Sequence, residues 1–189
     1  SRLNFDCVRK EQYNPRSINN FLVCKRRFKM SMIGNLLAIS QSELNELYDK
    51  PETITKVLYE DYYDRAVDLD KTWQAIHFML NGEPYGGDSL LSHLIFGIKP
   101  IGEEDVGYGA ALGTPSSIVK QIAAEISAIS DEEFCKKFDA EALMKANIYP
   151  NIWDQKDLVD GYLLPNFRSM KEFYIEAAKQ NHAVITYIN

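Results

Sequence analysis

The sequence predicts a helix-rich α/β domain, bordering on α+β, in which helices pack around a small sheet. Three observations lead there. Apolar residues recur mostly at helical spacing behind recognisable caps, so helices dominate. Strand-like runs are few, and the two clearest, Met32 to Ile39 and Ala183 to Ile188, lie more than 140 residues apart. Runs that far apart pair only if the intervening helices pack around them. No internal repeat of 20–50 residues competes with this reading.

The elements follow from their caps. Met32 to Ile39 is a mostly apolar strand, and Ser40-Gln41-Ser42-Glu43 is a capping box opening a helix that runs toward Pro51. A short helix over Thr53 to Tyr59 comes next. A stronger one starts near Asp68 or Asp70: Trp73, Ile76, His77 and Leu80 make one stripe, and Asn81-Gly82 ends it. Asp88 caps a helix over Ser89 to Phe96, closed by Gly97, and Ile98 to Ala111 is a glycine-rich loop with short strands. Thr114 caps a helix with Pro115 at its first position, carrying Ile118, Ile122, Ile126 and Ile129. Ser130 to Glu133 is a second capping box, and Asn166 caps the long final helix before the Ala183 to Ile188 strand.

The chain has 189 residues, enough for one domain with a short appendage. Charge is distributed unevenly. Residues 1–29 hold eight Lys/Arg and two Asp/Glu, which leaves 13 basic and 25 acidic residues beyond, a net of −12. The reading is a basic extension over 1–29, a biological start at Met30 and one domain over 30–189. A basic arm for an acidic partner is the alternative role for the extension. The acidic body repels nucleic acid, so DNA or RNA binding would rest on the extension alone. No apolar run approaches the roughly 18 residues of a membrane span, and Phe21 to Cys24 is too short for a signal-peptide core, so a cytoplasmic protein is expected. Cys7, Cys24 and Cys135 form no Cys-x-x-Cys pair, so they read as ordinary free thiols.

Four groups carry candidate chemistry. Asp70, Trp73 and His77 share a helical face, so His77 or Asp70 is the candidate general base. The alternative is a core tryptophan with a hydrogen-bonded histidine. The loop Gly107-Tyr108-Gly109-Ala110-Ala111-Leu112-Gly113-Thr114 runs into a helix start, and its Tyr108, Gly109, Gly113 and Thr114 are the candidate ligands for a small anion. Its spacing fits neither a P-loop nor G-x-G-x-x-G. Glu103, Glu104 and Asp105 would repel that anion but suit a basic partner. They lack the alternating spacing of a metal loop, and neither a metal site nor a cofactor is predicted. Tyr149, Pro150, Trp153, Tyr162 and Phe167 are either core or a recognition patch, with Trp153 as its anchor. Nucleophilic catalysis has no support: G-x-S-x-G is missing, Cys135 follows three acids, and His93 and His182 stand alone.

Five ordered stretches resemble a known family: Met32-Ile33-Gly34-Asn35, Leu69 to Phe78, Glu104 to Gly109, Ile148 to Trp153, and Phe173-Tyr174 with Ala177-Ala178. The chain is similar over about Ser31 to Asn189 to the YfbM-like family of small bacterial proteins, a domain of unknown function. That resemblance implies a three-layer α/β arrangement in one domain, and brings with it no reaction, cofactor or catalytic residue. Residues 1–29 have no counterpart in the family pattern. Two function classes follow. One is a non-catalytic protein that docks a basic partner, as an immunity protein or antitoxin does. The other is an enzyme or binder acting on a small anionic metabolite near His77 and the Gly107 to Thr114 loop.

Overall fold

The computed structural model describes residues 31–189; the expectations for the 1–29 extension, the Met30 start, Cys7 and Cys24 lie outside them. The described chain opens with β1 (Gly34–Ile39), α1 (Gln41–Asp49), α2 (Ile54–Lys56) and β2 (Val67–Asp68). Next come α3 (Trp73–Asn81), α4 (His93–Phe96), β3 (Lys99–Pro100) and β4 (Leu112–Thr114). It closes with α5 (Ser116–Ser127), α6 (Asp131–Lys136), α7 (Ala140–Lys145), α8 (Leu164–Lys179) and β5 (Ala183–Ile188).

The five strands form one antiparallel sheet in the order β2-β1-β5-β4-β3. The predicted pairing of the opening and closing strands is present at its centre, from Gly34 opposite Ile188 to Ile39 opposite Ala183. Strand geometry sends successive side chains to opposite faces. Leu36 and Val184 join a core with Trp73, Ile76, Val119, Phe167, Met170 and Tyr174 from α3, α5 and α8. Leu37, Ile39, Ala183 and Ile185 join a second core with Leu44, Leu47, Ile54 and Leu58. Helical layers therefore cover both faces. That explains why the two strand sequences are apolar almost throughout, a pattern more typical of parallel sheets.

Several boundaries differ from the expectation. β1 begins at Gly34 rather than Met32, and α3 packs closely there: a Cβ on Gly34 would lie 2.6 Å from Trp73 Cβ. The Trp73 indole donates to the Met32 carbonyl at 3.0 Å. Asn166 does not cap α8, which starts at Leu164 after a widened turn over Val159–Leu163. Pro165 falls within the first turn, where its missing N–H costs nothing, and Asn166 donates back to the Tyr162 carbonyl. Ser89, not Asp88, caps the turn leading into α4. Both capping boxes are present: the Ser40 amide donates to Glu43 at 2.7 Å and the Ser130 amide to Glu133 at 2.8 Å. Gly82 closes α3 in the left-handed region at φ 78°, its amide donating to the Phe78 carbonyl at 2.7 Å.

Ile185 sits at the sheet centre, fully buried. Ile185→Ala should lower unfolding free energy by about 2–5 kcal/mol in a urea titration, the cost of lost burial plus a cavity. A loss under about 1 kcal/mol would show that the helices, not the sheet, hold the second core.

Candidate functional site

His77 and Asp70 do not form a pair. Asp70 precedes α3 in a 3-10 turn, with a positive φ of 49°. Its amide donates to Asp68 Oδ1 at 2.6 Å, and its carboxylate accepts from the Tyr162 hydroxyl at 2.7 Å. The shared-face expectation assumed helix from Asp70 onward, and the left-handed residue breaks it. His77 is 1% exposed, its ring edge-to-face with Phe96 at 4.6 Å. Asn81 Nδ2 donates to the His77 carbonyl at 3.0 Å and stands 3.3 Å from Nδ1. An amide nitrogen only donates, so Nδ1 accepts and Nε2 carries the proton. Burial pushes the imidazole down to about 4, with the Gly86 backbone opposing in part. The ring is neutral near pH 7. A base must present a lone pair to its substrate, and this buried ring presents none.

The glycine loop serves its own chain. Asp105 Oδ1 accepts from the Gly107 amide at 2.8 Å and the Gly109 amide at 2.9 Å. Those bonds, Gly109's first, hold the Asp105 carboxyl below its ordinary range. The anion that such amides attract is therefore supplied from within the loop, two residues before Gly107 and four before Gly109. Tyr108 is exposed, and its amide donates to the Ile188 carbonyl at 2.9 Å. Gly113 and Thr114 are not loop residues: they lie in β4, buried. A Cβ on Gly113 would stand 2.4 Å from the Tyr48 hydroxyl, so close packing explains this glycine. Thr114 is no helix cap either, since α5 starts at Ser116, whose amide donates to Gln41 Oε1 at 2.8 Å. The four predicted anion ligands thus belong to two different elements.

Trp153 is 0% exposed, and its indole donates to the Ile148 carbonyl at 2.8 Å. It is core and cannot anchor a surface contact. Burial and the nearby Asp160 and Asp131 raise the Cys135 thiol, which disfavours a thiolate. Among the described residues no group of three His, Cys, Asp or Glu is placed to hold a metal.

Glu103, Glu104 and Asp105 are exposed, as expected, and their loop packs on the α1–α2 layer. Ile101 and Val106 enter the second core, the Tyr59 hydroxyl donates to the Val106 carbonyl, and Thr55 Oγ1 donates to Glu104 at 2.6 Å. Residues 41–61 and 103–105 together hold nine carboxylates against two lysines. This layer also contains a cleft of about 380 Å³ over Ile39, Leu47 and Val57, rimmed by Glu43, Glu46, Lys50, Asp61 and Tyr62. Glu43 accepts from the Tyr62 hydroxyl and from Ser40, and those bonds keep its carboxyl low. The cleft was not foreseen, because Glu43 reads in sequence as a cap alone. The available signal was Glu43 and Glu46 at i, i+3 on one helix.

A family model described as a domain of unknown function, DUF1877, matches residues 30–187. Protein YfbM of Escherichia coli strain K12 is 28% identical over 172 residues, covering 82% of this chain and 97% of that protein. The crystal structure of YfbM from Escherichia coli, titled a protein of unknown function, matches with a TM-score of 0.67 at 22% identity. That match covers 84% of this chain and 100% of the other, and it shows a shared fold. No helix among the described residues is long and apolar enough to cross a membrane.

His77 makes stability pH-dependent. The unfolded imidazole takes up a proton near pH 6.5, whereas the folded one refuses it until about 4. The unfolded state therefore binds more protons in that window, so stability falls as pH falls through it, by up to about 3 kcal/mol. Denaturation of native protein and His77→Gln between pH 7 and 4 checks this: the stability gap between them should narrow with acid. A constant gap would contradict it.

Proposed function

We propose that this chain, which belongs to the DUF1877 family, is a binding protein that docks a basic protein partner, in the manner of an immunity or antitoxin protein. One observation carries the reading: the α1–α2 layer and the Glu103–Asp105 loop hold nine carboxylates, three of which, Glu43, Glu46 and Asp61, line one cleft. Opposite charge steers encounter and suppresses wrong partners, whereas affinity comes from desolvated contacts. The cleft supplies an apolar floor for such contacts in Ile39, Leu47 and Val57. Groups that a catalytic reading would use are engaged elsewhere: Asp70 with Tyr162, and the Gly109 amide with Asp105.

Capture on immobilised native protein, read by intact mass, tests the proposal. The expected catch is a protein of net positive charge, released by about 0.5 M salt as screening shortens to a few ångströms. The triple variant Glu46→Lys, Glu52→Lys, Glu103→Lys, all at exposed positions, should reduce that capture at least about tenfold while leaving the melting temperature unchanged. An acidic catch, or one indifferent to the charge reversal, would overturn the reading.

A further inference from the structure

One row of the central sheet changes chemistry. On the face that bears the second core, Leu37, Ile39, Ala183 and Ile185 are apolar, yet the next row across β2, β1 and β5 is Asp68, Asn35 and Tyr187. Directly opposed residues of antiparallel strands project to the same side with neighbouring Cβ atoms. A carboxylate, an amide and a phenol therefore stand abreast at the edge of an apolar face. The helical layer does not fill the space above them. Tyr59 and Tyr63 flank it as an open-mouthed cavity of about 340 Å³, inside the roughly 300–1,000 Å³ range of small-ligand sites.

The aromatic rings set the character of this cavity. Tyr59 and Tyr187 meet at 88° with centroids 6.2 Å apart, making a corner, and Tyr63 lines the cavity while remaining 74% exposed. Asp68 is oriented by the Asp70 amide, which donates to its Oδ1 at 2.6 Å. Asn35 spends its amide protons on the Ile33 carbonyl at 3.0 Å and Asn189 Oδ1 at 2.9 Å, so it offers a visitor only an acceptor. Burial, then Tyr59 and Asp68, push the Tyr187 hydroxyl up to about 12, which places those groups within electrostatic reach of one another.

Three phenol rings carry negative π-faces, and the polar side chains beside them supply acceptors and a carboxylate. Asp68 would repel an anion, and a purely apolar guest would strip water from that exposed carboxylate without replacing it. A cation over aromatic faces within about 6 Å is attracted by all of them. We propose that this pocket is an aromatic cage for an alkylammonium head group. The idea goes beyond partner docking and does not depend on it, because the head group alone makes the contacts.

The test is a ¹H–¹⁵N NMR titration of the full chain with choline and with 3,3-dimethyl-1-butanol, its uncharged isostere. Choline should saturate with a millimolar dissociation constant, shifting the Asn35, Asp68 and Tyr187 amides, and the isostere should bind at least about tenfold more weakly. Asp68→Asn and the exposed Tyr63→Ala should each weaken choline about fivefold, while Tyr59→Phe, which keeps the ring, should bind within about twofold of native. The cage is overturned if choline fails to saturate by about 100 mM, a bound too weak for any built site. It is equally overturned if the isostere matches choline, or if the Asp68 and Tyr63 variants bind like the native protein. Loss of this pocket would leave the docking reading standing, since the probe contacts none of the Glu103–Asp105 loop.

Discussion

The fold depends on a ladder six residue pairs long. β1 and β5 come from opposite ends of the described chain, and their pairing brings both helical layers to a common centre. Closing so long a loop costs entropy that grows slowly with its length, but the cost falls before any distant contact can offset it. The return is burial on two faces at once: Leu36 and Val184 on one side, Leu37 and Ile185 on the other. Neither core is complete without this ladder, so the helices on the two sides share one fate. Cooperative unfolding is the expected consequence.

Most groups that look reactive are spent on the architecture. Asp105 folds its own glycine loop, Asp70 ties the start of α3 to the segment ahead of α8 through Tyr162, and Trp153 closes a local turn inside the larger core. His77 tolerates burial by staying neutral, with Asn81 as its local partner and Ser89 bonded to Asn81 in turn. Such bonds satisfy polar atoms that would otherwise be costly to bury. What is left over lies in the carboxylates of one layer and in a sheet row that ends at the exposed Asp68 beside a cavity.

Local chemistry was legible in the sequence. The Ser40 and Ser130 boxes, the glycine stop at Gly82 and the closing strand from Ala183 all rest on interactions within a few residues. The pairing of the end strands was legible too, because two isolated apolar runs had few other partners. What failed needed distant information. Gly113 looked like an anion ligand in a loop until Tyr48 and Leu44 were seen against it, and Asp70 looked helical until Asp68 and Tyr162 were seen to hold it. The Asp68–Asn35–Tyr187 row joins segments far apart in sequence, so no spacing rule could have found it, whereas the acidic cleft left only the weak local trace of Glu43 and Glu46 on one helix.

The margins of the sheet have a consequence of their own. β2 offers only Val67 and Asp68, and at the other margin β3 is Lys99 followed by Pro100, which has no amide proton to give. A strand from a neighbouring molecule would find two residues on one side and a charged, donor-poor pair on the other. Short, charged and proline-bearing borders are how natural sheets discourage edge-to-edge stacking. β2 pairs with only Asn35 and Leu36 of β1, and beyond it the Arg65 guanidinium donates to the Ala38 carbonyl at 3.0 Å, so a charge stands where the edge of the long apolar strand continues and disfavours pairing with a second copy there.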